Sequence, residues 1–146
     1  LGFNAAQKNI PFDDRVVKTH NASDPEAPLD VDTGQTFKNG VYTEKVTQSP
    51  TTLYRAGNAD RWGGRFWARE MPTSSEEAIQ KSALNPDWGN KASHVATIEV
   101  PARTTIYEGK VAAQTIADGT VLLGGGNQIM FSERVPESWL KSFRPI

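Results

Sequence analysis

Two short stretches concentrate the residues best suited to chemistry. In "LYRAG" (53–57), Arg55 closes a short β-type run just before a glycine. A guanidinium is a planar, permanently charged fork that grips a phosphate or pyrophosphate through paired bonds. In "VLLGGGNQIMF" (121–131), three consecutive glycines precede Gln128. That side chain offers one acceptor and two donors without charge. The glycines match neither classical nucleotide loop. A dinucleotide fingerprint needs G-x-G-x-x-G, and a phosphate loop needs Lys followed by Ser or Thr. What they do permit is positive φ, a close ligand approach and a concavity of bare amides that accepts an anion. Two plainer readings stand beside these: a solvated arginine at a strand end, and a tight hairpin turn with Gln128 half exposed.

Between the two stretches, Arg61, Arg65 and Arg69 interleave with Trp62, Phe66 and Trp67. Such a mixture clamps an anion while a ring stacks on a flat heterocycle, and it also suits single-stranded RNA. Ordinary strand packing explains it equally well. Lys81 is either a phosphate contact or a solvated helix residue. Glu108 and Glu133 stand nearest to strand ends, as candidates to stabilise a cationic transition state or as solvated surface. His20 and His94 are the only histidines, and there is no cysteine. That excludes disulfides, thiolate nucleophiles and Cys-based metal sites. No Ser-His-Asp spacing stands out. Asp24, Asp30 and Asp32 lack the EF-hand pattern, and no metal is expected.

These residues need a scaffold, and 146 residues with 37% hydrophobic content suit one compact domain. A net charge of -1, from 16 basic and 17 acidic residues, gives no overall field for a polyanion, so nucleic acid is not an expected partner. No run of about 18 apolar residues predicts a transmembrane segment. Residues 51–57, 63–70, 94–100, 104–109, 120–125 and 127–131 read as strands, and 110–116 as helix or strand. The clearest helix is "PTSSEEAIQKSALNP" (72–86), capped by Ser74 or Ser75 and ended by Asn85-Pro86. "PESWLKSF" (136–143) reads as a short helical turn. Residues 1–50 are polar and punctuated, with "KNG" (38–40) as a turn into "VYTEKV". They are expected to form an arm or linker-like segment packed on a catalytic domain of 51–146. The fold class is α+β, a compact, mainly β core with few helices.

The order "LYRAG", "GGRFWARE", helix, "GGGNQ" resembles the NAD-degrading toxin domains related to the tuberculosis necrotizing toxin, within the ADP-ribosyltransferase-like superfamily. The likeness covers about residues 50–135. It implies a cleft for NAD or NADP as substrate, with no cofactor, and cleavage of the nicotinamide–ribose bond. Arg55 falls on the family's first-strand arginine. Gly64, Arg65 and Phe66 fall on its nicotinamide-pocket segment, with Trp67 beside them. Lys81 stands near a phosphate-contacting helix arginine and departs from it. Gly124 to Gly126 and Gln128 fall on the glycine turn and catalytic glutamine. Gly125, Gly126, Arg65, Phe66, Trp67 and Lys81 are thus the expected substrate-binding residues, with Arg55 and Gln128 catalytic.

The resemblance further implies a secreted toxin or effector of bacterial competition. It would be the C-terminal module of a larger protein, delivered into a target cell to act in its cytoplasm and paired with a cognate immunity protein. Transferases of the superfamily generally place Glu where Gln128 falls. A neutral Gln cannot take a proton from an acceptor, which favours water and therefore hydrolysis to nicotinamide and ADP-ribose. ADP-ribose transfer, an RNase built on a histidine, and a non-enzymatic protein-binding module are the alternatives.

Overall fold

A computed structural model describes residues 14–85 and 89–146. The helix expected over 72–86 is shorter: it spans Ser75–Lys81 and ends at its C-cap Ser82. Ala83 then takes a positive φ of 48°, which a helix cannot continue through, so it stops well before Asn85. Pro86 lies outside the described residues. Strands are β1 (Arg15–Asn21), β2 (Val41–Val46), β3 (Thr51–Gly57), β4 (Phe66–Trp67), β5 (His94–Val100), β6 (Thr105–Lys110), β7 (Gln114–Thr115), β8 (Val121–Leu122), β9 (Asn127–Met130) and β10 (Leu140–Pro145). Two short helices, α1 (Val31–Gly34) and α2 (Ser75–Lys81), complete a mainly β, α+β architecture.

The strands form a five-stranded sheet ordered β1-β2-β6-β9-β4, a three-stranded sheet ordered β10-β5-β3, and the small β7-β8 hairpin. All named pairings are antiparallel. The two larger sheets meet where Tyr54 and Ala68 exchange both backbone hydrogen bonds at 2.8 Å. Successive strand residues face opposite sides, and the clusters follow that rule. Ile106 and Ile129 join Leu53, Trp67, Ile98 and Phe131 in the main core. Their neighbours Tyr107 and Met130 pack on the other face with Leu29, Phe37 and Tyr42.

That second face gives the segment before residue 50 its place. β2 is an interior strand of the larger sheet, and Phe37 and Tyr42 are fully buried. The expected division at residue 50 falls between β2 and β3, which belong to different sheets. From residue 15 to 46 the chain supplies two paired strands, β1 and β2, joined by a long connection that carries α1 and a helical turn at Lys38–Gly40, and it shares the domain's core. "PESWLKSF" needs correction. Only Glu137–Trp139 form a helical turn, and the rest enters β10 against β5. Trp139, Leu140 and Phe143 pack on the main core, and that burial outweighs the local helical signal. Among the described residues no helix is long and apolar enough to cross a membrane.

An ionic cluster locks the centre of the larger sheet. Glu108 on β6 accepts from Arg69 (2.7 and 2.9 Å), Lys45 (3.0 Å) and Asn127 (2.6 Å). Arg69 also donates to Asp14 at 2.6 Å. Glu108 is therefore a structural anchor and does not line the cleft described below. Burial pushes its pKa up, but the Arg69 bonds and charge, with Lys45 and Asn127, outweigh that and hold it at about 2, against an ordinary 4.5. Because the folded value is the lower one, the cluster's contribution is complete above about pH 4.5. It is lost as pH falls through about 2. Glu108→Gln strands part of this cluster, so a loss of about 3 kcal/mol, or roughly 10 °C in Tm, is expected at neutral pH. Thermal unfolding should show the deficit shrinking in strong acid.

Candidate active site

A single broad cleft of about 760 Å³ collects most of the residues singled out above. Its walls come from β3 and the turn after it, from β4, from α2, from the glycine stretch with the start of β9, and from the segment after α1. Arg55, Phe66, Lys81, Gly125, Gly126 and Gln128 all line it, so residues 73 positions apart in sequence converge.

Arg55 is placed by alternation along β3. Leu53 faces the main core, and Arg55, two residues on, points the same way where the apolar core gives out. Its Nη1 donates to the Phe66 carbonyl at 3.1 Å, while its buried Nε has no partner. No carboxylate pairs with it among the described residues. Burial, reinforced by Arg61 and Arg134, holds its pKa down to about 10. The guanidinium packs on Gly64, where an added Cβ would stand 2.7 Å from Cζ. Gly64 thus serves by lacking a side chain.

The glycine stretch does not form the anion-accepting concavity that its residues permit. Gly124 N donates to Gln80 O, Gly125 N to Val111 O and Gly126 N to Lys81 O. Every one of the three amides is spent on a backbone carbonyl. Two of those carbonyls belong to the last turn of α2, which leaves its final C=O groups without helical partners. The stretch therefore clips the helix end to the larger sheet. Only glycine fits at 124, where φ is +66° and a Cβ would approach Val111 O at 2.6 Å. At the other end of α2, Ser74 caps Glu77 N at 3.0 Å, as its position predicts.

Directly after the clip, Gln128 enters β9 opposite Gly109. It is not half exposed, as the plain turn reading had it, but 7% exposed. Its Nε2 donates to Thr36 Oγ1 at 3.0 Å. Phe66, paired with Met130, shares this face of the sheet and packs against the second cluster. Trp67 faces the main core instead, and its indole N–H is satisfied by Gly64 O at 3.0 Å. Its ring is core, whatever its backbone contributes to the cleft wall. Arg65 is the one expected binding residue away from the cleft wall. Its Nε donates to Phe131 O at 3.1 Å. Lys81 is 57% exposed and stands 4.0 Å from Glu77, leaving its ammonium at the rim.

The remaining candidates are dispersed. Glu133 is exposed and absent from the wall. His20 bonds Glu44 at 2.9 Å on β1, and His94 bonds Ser93 and lies against Phe143. Neither histidine lines the cleft, so histidine acid–base chemistry has no support there. Asp30 is occupied as the cap of α1, accepting from Thr33 N and Oγ1. Among the described residues the carboxylates that line the cleft are Asp32, Glu70 and Glu77, and Glu77 is held by Thr73. Arg61, from the arginine–aromatic cluster singled out above, lines the cleft as well, whereas Thr36 was passed over by sequence reasoning. Thr36 sits in a loop of ordinary turn composition, 92 residues from its partner, and no local signal could have paired them.

No family model matches the sequence, and no curated protein does. Among solved structures, that of Tne2 in complex with Tni2 is similar, with a TM-score of 0.51 over 72% of this chain and 93% of that one. Identity is 20%, so the likeness is one of fold. It agrees with the mainly β, α+β architecture described above.

Proposed function

We propose that this chain is an NAD(P) glycohydrolase toxin domain, cleaving the bond between nicotinamide and ribose. The observation that carries the reading is Arg55, a largely buried cation with no counter-ion among the described residues, opening on the same cleft as the buried neutral amide of Gln128. A desolvated, unpaired guanidinium is costly, and a dianionic pyrophosphate offsets that cost.

In this reading Arg55, helped by Lys81 at the rim, holds the pyrophosphate, and Phe66 flanks the nicotinamide. The C1′–N bond breaks with its electron pair passing to the ring nitrogen. Nicotinamide leaves neutral and the ribose becomes an oxocarbenium ion. Gln128 orients a ribose hydroxyl or the attacking water. Water adds at C1′ and loses a proton, giving ADP-ribose and nicotinamide. The resemblance to NAD-degrading toxins supports this assignment, as does a fold like that of Tne2, which was solved in complex with Tni2. By the same token a cognate immunity protein is the expected partner. Secretion or delivery into a target cell is the expected setting.

Transfer of ADP-ribose to a macromolecule is the second reading, since the exposed Glu70 and Asp32 on the cleft wall could take a proton from an acceptor. A time course with NAD and with NADP, separating nicotinamide from ADP-ribose or its 2′-phosphate, tests both. Equal amounts of the two products are expected. Nicotinamide in excess of the free sugar nucleotide would turn the assignment to transfer, and intact dinucleotide with folded protein would end it.

A further inference from the structure

We infer that Thr36 is a positioning residue for the reaction, fixing which end of the Gln128 amide faces the substrate. The inference rests on the proposed role of Gln128. The Thr36 hydroxyl has one proton, and its Oγ1 lies 2.7 Å from Thr33 O, a pure acceptor. The proton is therefore committed to Thr33, and toward Gln128 the Thr36 oxygen can only accept. That settles the amide's orientation. The NH₂ group must face Thr36, as the 3.0 Å Nε2 contact has it, and the opposite edge carries the carbonyl oxygen. No partner for that oxygen occurs among the described residues, and it is not among the buried unsatisfied atoms. An uncharged acceptor with negative partial charge is what a ribose hydroxyl, a polarised water or a developing oxocarbenium requires. A flipped amide would present donors instead and repel positive charge.

Thr36 is itself rigidly held. Its carbonyl accepts from Ala112 N at 2.9 Å, and the adjacent Phe37 bridges to Val111 and is fully buried. Phe37 lies over Gly109, the residue paired with Gln128, where a Cβ would meet its ring at 2.7 Å. Asp32, Gln35 and Thr36 all line the cleft. The segment before residue 50 therefore completes the site as well as covering the sheet.

Thr36→Val keeps the shape and removes the acceptor, freeing the amide to rotate. Nicotinamide release should lose roughly tenfold to hundredfold in kcat with KM for NAD little changed, while Thr36→Ser restores most of the rate. A merely structural role would instead lower Tm without separating kcat from KM. Independently of activity, the Gln128 side-chain NH₂ signals in a ¹⁵N spectrum should show one protected, shifted proton in the wild type and in Thr36→Ser. In Thr36→Val they should resemble a free amide. Unchanged kcat in Thr36→Val, or unchanged amide signals, overturns the inference. A wild-type protein that releases no nicotinamide removes the glycohydrolase reading, and the amide spectrum still decides whether Thr36 fixes Gln128.

Discussion

Gln128→Ala is expected to lose about 10² to 10³-fold in kcat for nicotinamide release, the range found for removal of a preorganised polar group aimed at developing charge. Binding should suffer much less, because the pyrophosphate contacts of Arg55 and Lys81 are untouched. The substitution also leaves a small void beside Thr36, so Tm should fall by only a few degrees. The pattern is specific. A plain turn residue, which one reading of the glycine stretch made of Gln128, would cost stability and spare catalysis. Initial rates across NAD concentrations, with calorimetric unfolding of the same samples, separate the two cases. A folded Gln128→Ala protein with wild-type kcat would remove Gln128 from the mechanism.

Arg55→Met should move activity and stability in opposite senses. Charge-assisted hydrogen bonds contribute about 1.5–3 kcal/mol each, so kcat/KM for NAD should fall at least tenfold and KM should carry much of the change. Tm, in contrast, should hold or rise. Among the described residues Arg55 has a buried Nε without a partner and no carboxylate, with Arg61 and Arg134 near enough to lower its pKa. Replacing an unpaired buried cation by an apolar chain of similar length relieves that penalty. Sites retained for function often carry such a cost. Ligand should reverse the order: saturating NAD analogue should raise the wild-type Tm and leave Arg55→Met unmoved. A drop in Tm with unchanged kcat/KM would mean that Arg55 serves the fold, and the pyrophosphate assignment would fall with it.

Local pattern carried much of the secondary structure. "TTLYRAG" and "HVATIEV" are strands over the expected residues because alternation in a half-buried segment is a strong signal. Ser74 caps α2 because its chemistry there is local. "PESWLKSF" misled for the opposite reason: its partner strand, β5, lies some 40 residues earlier and supplies what the segment's own propensity does not.

The site divides along the same line. Residue type alone determined that Arg55 could hold an anion, that Gln128 could orient but not accept a proton as a base, and that consecutive glycines marked a constrained bend. These are properties of side chains and travel with the sequence. Only the tertiary structure decided which of them face a common cleft. It turned Trp67 into the core and Phe66 toward the cleft, adjacent residues separated by the pleat. It engaged Glu108 in an ionic lock and left Glu133 outside. It also spent the glycine amides on the end of α2 and set Thr36 against Gln128. Each of those outcomes depends on a partner far away in the chain, and a hydrogen bond across 92 residues leaves no trace in the local pattern at either end.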